Sequence, residues 1–490
     1  MPDTNDRPTR ERGVYCNRTL NLRSIRAIGY DMDYTLVHYR VDEWERQAYG
    51  YIKRKLLSAD LPIEHIEFDP ELIIRGLVLD LDFGNTLKTN RFGYVKQAYH
   101  GTQSMEFSEQ RSRYARSLVD LADDRFEFLN TLFSLSEACM YAQLVDMLDD
   151  GELPGVLGYS DLYRLVREST DQAHMEGELK ADITRDPHRY VELDPETALA
   201  LLDQHHAGKK LLLITNSEWG YTRSIMEYAF DQFLPEGMTW RDLFDLVIVS
   251  ARKPAFFSTN SPVFRVVTEE GLLEPCPQGI RGKGIYLGGN ARLVESYLGL
   301  SGDEILYVGD HVFTDVHVSK DILRWRTALI LRELENDLAG ISGFREQQNQ
   351  LSALMSEKED LEFRMARLRL DALRKRVGYG PDNPKLTLKK LDGQITTIRN
   401  RLAKLDQQIA PLAVAASCIG NSRWGPLMRA GNDKSHLARQ VERYADIYMS
   451  RVSNFLLQTP FTYLRSRRGS LPHDPEDMPL VADAEGQESE

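Results

Sequence analysis

The chain has 490 residues, 42% of them hydrophobic and 28% charged, with a net charge of −13. This composition predicts a soluble globular protein of roughly two to four domains with a large core. It argues against a nucleic-acid partner, and the longest apolar runs, such as Leu211–Ile214, are too short to cross a bilayer.

Residues 1–20 read as a loose arm, and Met1–Arg12 is too polar for a signal peptide. The apolar run Ile25–Tyr30 reads as a buried strand of a parallel sheet, ending in Asp31-Met32-Asp33-Tyr34-Thr35. Val41–Leu57 predicts a helix. Short strands are expected around 72–89, with Asp82-Phe83-Gly84-Asn85-Thr86 as a turn. From Ser108 to about His206 the pattern is mostly helical, an insertion suited to fold as a cap over a crevice. The sheet resumes with Leu211–Ile214 before Thr215-Asn216-Ser217, and Leu246–Val249 before Ser250-Ala251-Arg252-Lys253-Pro254. It continues with Ile305–Val308 before Gly309-Asp310, and Thr327–Leu331. Helices are expected between them, for example Tyr221–Phe230 and Ala291–Leu298, the latter N-capped by Asn290.

Strands alternating with helices predict an α/β fold with a doubly wound parallel sheet. In residues 344–410, Leu354, Leu361 and Leu368 recur every seven positions, with Met365 between them. Beyond the breaker 378–384, Leu391, Ile395, Ile398, Leu402, Leu405 and Ile409 step by four and three. That spacing fits an antiparallel helical hairpin, either a core-packed pair or a coiled coil for a partner. Residues 411–465 read as further helices, and 471–490 as an acidic disordered tail. Cys16, Cys139, Cys276 and Cys418 show no metal-ligand spacing and fit a reducing cytoplasm.

Collected together, the strand ends bring two aspartates, a Thr-Asn pair, a lysine and two further aspartates, Asp310 and Asp315. In an acidic chain a phosphate site needs local cations or a metal. Phosphoryl transfer needs these parts: a carboxylate nucleophile, oxygen ligands for Mg²⁺, a hydroxyl for the phosphoryl oxygens and an ammonium for transition-state charge. Each is weak alone, since a strand-end Thr is commonly a cap and Gly-Asp commonly a turn. Four in order, each after a strand, make the bland reading untenable.

These four segments resemble the motifs of the haloacid dehalogenase superfamily. The flanking Ala251-Arg252-Lys253-Pro254-Ala255-Phe256-Phe257, Tyr307-Val308-Gly309-Asp310-His311-Val312-Phe313, Leu129-Asn130-Thr131-Leu132-Phe133 and Arg443-Tyr444-Ala445-Asp446-Ile447-Tyr448 resemble its cytosolic purine 5′-nucleotidase type II branch, which prefers IMP and GMP. The resemblance implies Asp31 as nucleophile and Asp33 as acid and then base. It implies Mg²⁺ on Asp31, the Asp33 carbonyl and Asp310, with Asp315 supporting, and phosphate on Thr215, Asn216 and Lys253, with Ser217 beside them. In the insertion it implies nucleoside contacts from Arg167, Asp171, His174 and Lys180, with Phe133 stacking on the base. Arg167, Asp171 and His174 also share one helix face at i, i+4 and i+7, which, the resemblance aside, an ordinary charged face with internal pairs explains better. Two departures stand out. Ser134 replaces the family's Asn after the stacking Phe, and Asp321 replaces a Lys near its effector site, so effector activation does not carry over.

The expected organisation is a catalytic core of 1–40 and 207–343 and a mostly helical cap of 41–206. A hairpin of 344–410, C-terminal helices of 411–470 on the core and the tail complete it. The expected function is Mg²⁺-dependent hydrolysis of purine nucleoside 5′-monophosphates, with phosphotransfer to a nucleoside as a corollary. The resemblance also implies a homo-oligomer, a dimer or tetramer. The rivals are a phosphatase for another phosphomonoester, such as a sugar phosphate, and a coiled-coil scaffold with a vestigial site.

Overall fold

The run Ile25–Tyr30 forms strand β1 (Ala27–Tyr30), every residue of which is buried in the computed structural model of the protein. The structure describes residues 9–381 and 384–466, without the side chains of 173–176. The acidic tail, part of the breaker and the His174 side chain therefore lie outside the described residues.

The other central strands are β2 (Lys210–Ile214), β3 (Leu246–Val249), β4 (Ile305–Gly309) and β5 (Arg326–Ile330). The sheet runs β5-β4-β1-β2-β3, with Ile447–Met449 beyond β5 and Gly284–Gly288 beyond β3, all parallel. β2 and β3 extend to one side of β1 while β4 and β5 return to the other, so the sheet is doubly wound with its switch point at β1. Register keeps the strand ends level, because Tyr30 pairs with both Leu213 and Val308. The residues that follow, Asp31, Thr215 and Asp310, therefore emerge into one crevice. The strands read as unbroken apolar runs because helices cover both faces. Tyr286, Tyr307, Trp325 and Phe257 fill one side of the core.

The helices form close to where their patterns place them: Val41–Ser58, Trp219–Phe230 and Ala291–Leu298. Asn290 caps the last through Leu293 N–H at 3.2 Å. Four features depart from the expectations. Gly284–Gly288 is a strand despite its two end glycines. Ile447–Met449 joins the sheet rather than continuing a helix, and the preceding Asp446 anchors it by accepting from Arg326 Nε (2.9 Å) and Thr327 N–H (3.1 Å). The arm is tied down from Thr9 onward, with Tyr15–Cys16 pairing Ile447–Tyr448. The insertion also carries a five-stranded antiparallel sheet over 78–128, in which Val95–His100 alternates too weakly and Phe126–Phe128 is too short to read. Its helices include α1 (Leu135–Asp149), α2 (Tyr159–Glu176) and α3 (Glu178–Arg185).

Asn336–Pro426 forms a second compact unit. Within it α4 (Arg345–Val377) stops at Gly378 in the left-handed region, and α5 (Leu388–Ser417) begins at the N-cap Thr387. The six α5 residues Leu391, Ile395, Ile398, Leu402, Leu405 and Ile409 are all buried against α4. Arg401–Glu357 and Lys358–Asp406 pair the two helices. Among the described residues, no helix is long and apolar enough to cross a membrane.

Candidate active site

Three loops at the C-terminal ends of the central strands converge on one ammonium group. Lys253 Nζ lies 2.7 Å from Asp31 Oδ2 and 2.8 Å from Asp315 Oδ1, and donates to Tyr307 Oη at 3.1 Å. Its side chain is 2% exposed; those of Asp31 and Asp315 are 13% and 1% exposed. Asp31 is therefore the charged member of this trio that reaches the mouth. Burial opposes the lysine's charge, but the two carboxylates outweigh it and hold the Lys253 pKa well above the ordinary value.

The loops are fixed by backbone geometry. Asp31 N–H donates to Val308 C=O (2.9 Å) and Thr215 N–H to Ile248 C=O (2.9 Å), so each loop leaves its strand still hydrogen-bonded to the neighbour. Thr215 Oγ1 accepts from Ser217 N–H at 3.0 Å. Asn216 clamps the lysine's own peptide groups: its Oδ1 accepts from Lys253 N–H at 2.6 Å and its Nδ2 donates to Lys253 C=O at 3.2 Å. Thr215 and Lys253 are thus held as one rigid pair. Asp315 sits in the turn Val312–His317, where His311 N–H donates to its Oδ2 at 3.2 Å.

Asp31, Asp310 and Asp315 each present a carboxylate oxygen, all within 4.8 Å of one another. One ammonium faces three carboxylates. Burial pushes Asp31 up to about 7 against the pull of Lys253, with Asp315 adding to the rise; burial, then Asp315 and Asp31, push Asp310 well above its ordinary value. Asp310 Oδ2 is buried and has no hydrogen-bond partner. An orphaned, desolvated carboxylate oxygen beside two more is costly unless a cation completes it. Hard oxygen donors of this kind suit Mg²⁺ or Ca²⁺, so the cluster can hold a metal ion.

Asp33 faces other partners. Tyr39 Oη donates to its Oδ1, and Ser217 Oγ to its Oδ2 at 2.7 Å. Lys180, from α3, donates to Ser217 Oγ at 3.0 Å and lies 4.9 Å from the Tyr221 ring centroid. Phe133 packs edge-on to Tyr34 at 4.7 Å and to Trp44 at 5.4 Å. Arg167 and Asp171 of α2 form a separate group: Arg167 lies 3.2 Å from Glu137 Oε1 and 3.7 Å from Asp171 Oδ1. Asp171 is 61% exposed.

Four contributors escape sequence reasoning. Tyr307 reads as one more apolar strand residue, yet its hydroxyl bridges Lys253 and the Ile214 carbonyl. Tyr39, six residues after Asp33, holds that carboxylate, and its two-residue strand, buried throughout, shows no alternation to mark it. Glu137 anchors Arg167. Arg75, with a side chain only 1% exposed, reaches from the insertion to the Asp310 carbonyl (3.2 Å) and to Glu333 (2.6 Å). No local pattern marks a partner 235 residues away.

Gly309 leaves the space that Asp315 occupies. A Cβ there would lie 2.5 Å from Asp315 Oδ2 and 2.6 Å from its Cβ. Gly309→Ala should therefore push Asp315 off Lys253. The expected result is a loss of about 1–3 kcal/mol in urea unfolding from overpacking and a fall in phosphate release of about tenfold or more from displaced charge. Wild-type values in both assays would show that Asp315 needs no such room.

A family model described as the 5′ nucleotidase family matches residues 14–476. A 5′-nucleotidase domain-containing protein of Dictyostelium discoideum is 27% identical over 481 residues, covering 94% of this chain and 74% of that protein. The human 5′-nucleotidase domain-containing protein 2 is 26% identical over 498 residues, covering 94% and 85%. A solved archaeal beta-phosphoglucomutase from a Pyrococcus species aligns at TM-score 0.32 and 9% identity, over 62% of this chain and 86% of its own. At that score it carries no weight here. The chain belongs to the 5′ nucleotidase family and is a hydrolase.

Proposed function

We propose that the protein is a Mg²⁺-dependent 5′-nucleotidase that removes phosphate from purine nucleoside 5′-monophosphates, IMP and GMP first, through an aspartyl-phosphate on Asp31. The observation that carries this is the cluster of Asp31, Asp310 and Asp315, two of which pair with the buried Lys253, with Asp31 the most exposed of the three. In this reading Asp31 attacks phosphorus and Asp33 protonates the leaving ribose oxygen, then takes a proton from the attacking water. Its two donors, Tyr39 and Ser217, keep Asp33 oriented for both steps. Thr215 and Lys253, fixed together by Asn216, hold phosphoryl oxygens as charge develops. Mg²⁺ held by Asp31, Asp310 and the Asp33 carbonyl, with Asp315 supporting, would screen repulsion between carboxylate and phosphate. A covalent intermediate also lets a nucleoside hydroxyl replace water, so phosphotransfer is a corollary. Labelled inosine that gains no phosphate from an IMP or GMP donor during turnover would remove it.

Base choice rests on Phe133, Arg167, Asp171 and Lys180, with His174 on the same helix. An exposed carboxylate such as Asp171 can accept from the N–H groups of a 6-oxopurine, which adenine does not offer in that pattern. Its pairing with Arg167 favours a second reading, a phosphatase for another phosphomonoester. Phosphate release with Mg²⁺ across IMP, GMP, AMP, CMP, UMP, deoxynucleotides and sugar phosphates separates the two. Preference for IMP and GMP is expected, and Asp171→Ala should lower kcat/KM for them about 10- to 100-fold through loss of a charged hydrogen bond. Turnover of p-nitrophenyl phosphate should not change. A preference for sugar phosphates would overturn the base reading and keep the catalytic one. The four cysteines form no disulfide among the described residues, which supports a reducing, cytoplasmic setting.

A further inference from the structure

The hairpin carries an exposed aromatic residue at the point where its charge reverses. In α4, residues 345–362 hold five acidic and two basic side chains, whereas 364–377 hold six basic and one acidic. Phe363 lies between the two halves and is 66% exposed. Beside it runs a groove of about 680 Å³, lined by Arg364, Arg367, Leu368, Lys390, Gly393 and Thr397. Gly393 lies inside α5, where glycine is unfavourable. A Cβ there would meet nothing within 4 Å, so packing within the chain does not require the glycine. Its absent side chain leaves the groove open.

Glu359, Phe363 and Arg367 are spaced by four and share one face of the helix. Among the described residues Glu359 and Arg367 enter no ion pair, and Arg367 lies over the Phe363 ring at 5.7 Å. We propose that this face binds a second copy of the chain, its α4 laid antiparallel across the first with a two-fold axis at Phe363. Each Phe363 ring then enters the other copy's groove beside Gly393. Arg367 of each copy meets Glu359 of the other, since both lie four residues from the axis. The acidic half of each helix covers the basic half of the other. A parallel pair would bring like charges together. An acidic peptide would match only the basic half. A self-complementary patch is what two-fold association requires.

Sedimentation velocity of the full chain over a range of concentrations tests this. Wild type should show an association step that Phe363→Glu and Gly393→Leu each weaken by about tenfold or more. Gly393→Leu improves helix propensity, so its effect is not unfolding, and circular dichroism should show helicity kept. Arg367→Glu and Glu359→Arg should each weaken the step, and the double variant should restore it. Wild type that stays monomeric, or a mass indifferent to Phe363→Glu and Gly393→Leu, overturns the proposal. So does a double reversal no better than either single one, which would mean another occupant or another geometry.

Discussion

Asp31→Asn should abolish phosphate release from every monophosphate in the panel, with kcat down by at least about 10⁴-fold, the scale seen when a nucleophile is removed. The amide keeps the shape of the carboxylate and an oxygen for the Met32 N–H that Asp31 now accepts at 2.7 Å. It cannot form an acyl phosphate. Loss of activity should therefore come without loss of fold. The thermal midpoint should hold or rise, because one carboxylate fewer faces the buried Asp310 and Asp315. Turnover within about tenfold of wild type would remove Asp31 as nucleophile, since such losses exceed those of a mere positioning group. If the protein were a scaffold with a vestigial site, wild type and variant would be equally inactive across the panel.

Lys253→Met should damage both stability and turnover. The lysine is the ammonium shared by Asp31 and Asp315, and its side chain is 2% exposed. Removing one member of a buried ion cluster leaves the others uncompensated, typically about 3–5 kcal/mol. Turnover should fall by about 10³-fold, the effect of losing a preorganised charge at the transition state. The double variant Lys253→Met/Asp315→Asn separates the two losses. It relieves the stranded charge, so urea unfolding should recover much of the lost stability while activity stays low. A double variant no more stable than the single one would show that the lysine acts through packing against Tyr307 rather than through charge.

The sheet was legible because parallel strands buried on both faces leave unbroken apolar runs, and because each run here stops at a polar cluster. Asp31, Thr215, Lys253, Asp310 and Asp315 could therefore be gathered by chemistry before their convergence was seen. The α5 stripe from Leu391 to Ile409 was legible for the same kind of reason, since its period matches the helix. Elements whose identity is decided by distant contacts were not legible. Ile447–Met449 is three residues long, and Asp446, bonded across to Arg326 and Thr327, makes it a strand. The insertion's antiparallel sheet hides in residues such as Lys88, Gln97 and His100, whose polarity masks the alternation. Asp171 shows the limit at the site itself: the i, i+4 spacing signals its pairing with Arg167, but gives no sign of Glu137, which holds Arg167 from a different helix.

Arg75 bears on how this architecture can diversify. Its guanidinium ties the insertion to the carbonyl of Asp310 and to Glu333, both contributed by the far side of the sheet's switch point. Excising the insertion, or grafting one from a relative without an equivalent arginine, would strand those acceptors beside the cluster of Asp31, Asp310 and Asp315. The part of the insertion rooted at Arg75 is thus bound to the sheet's own loops, while among the described residues Arg167 and Asp171 pair only within the insertion, with Glu137 and with each other. Chimeras joined beyond Arg75 are the ones in which new substrate choice can arise without rebuilding the chemistry.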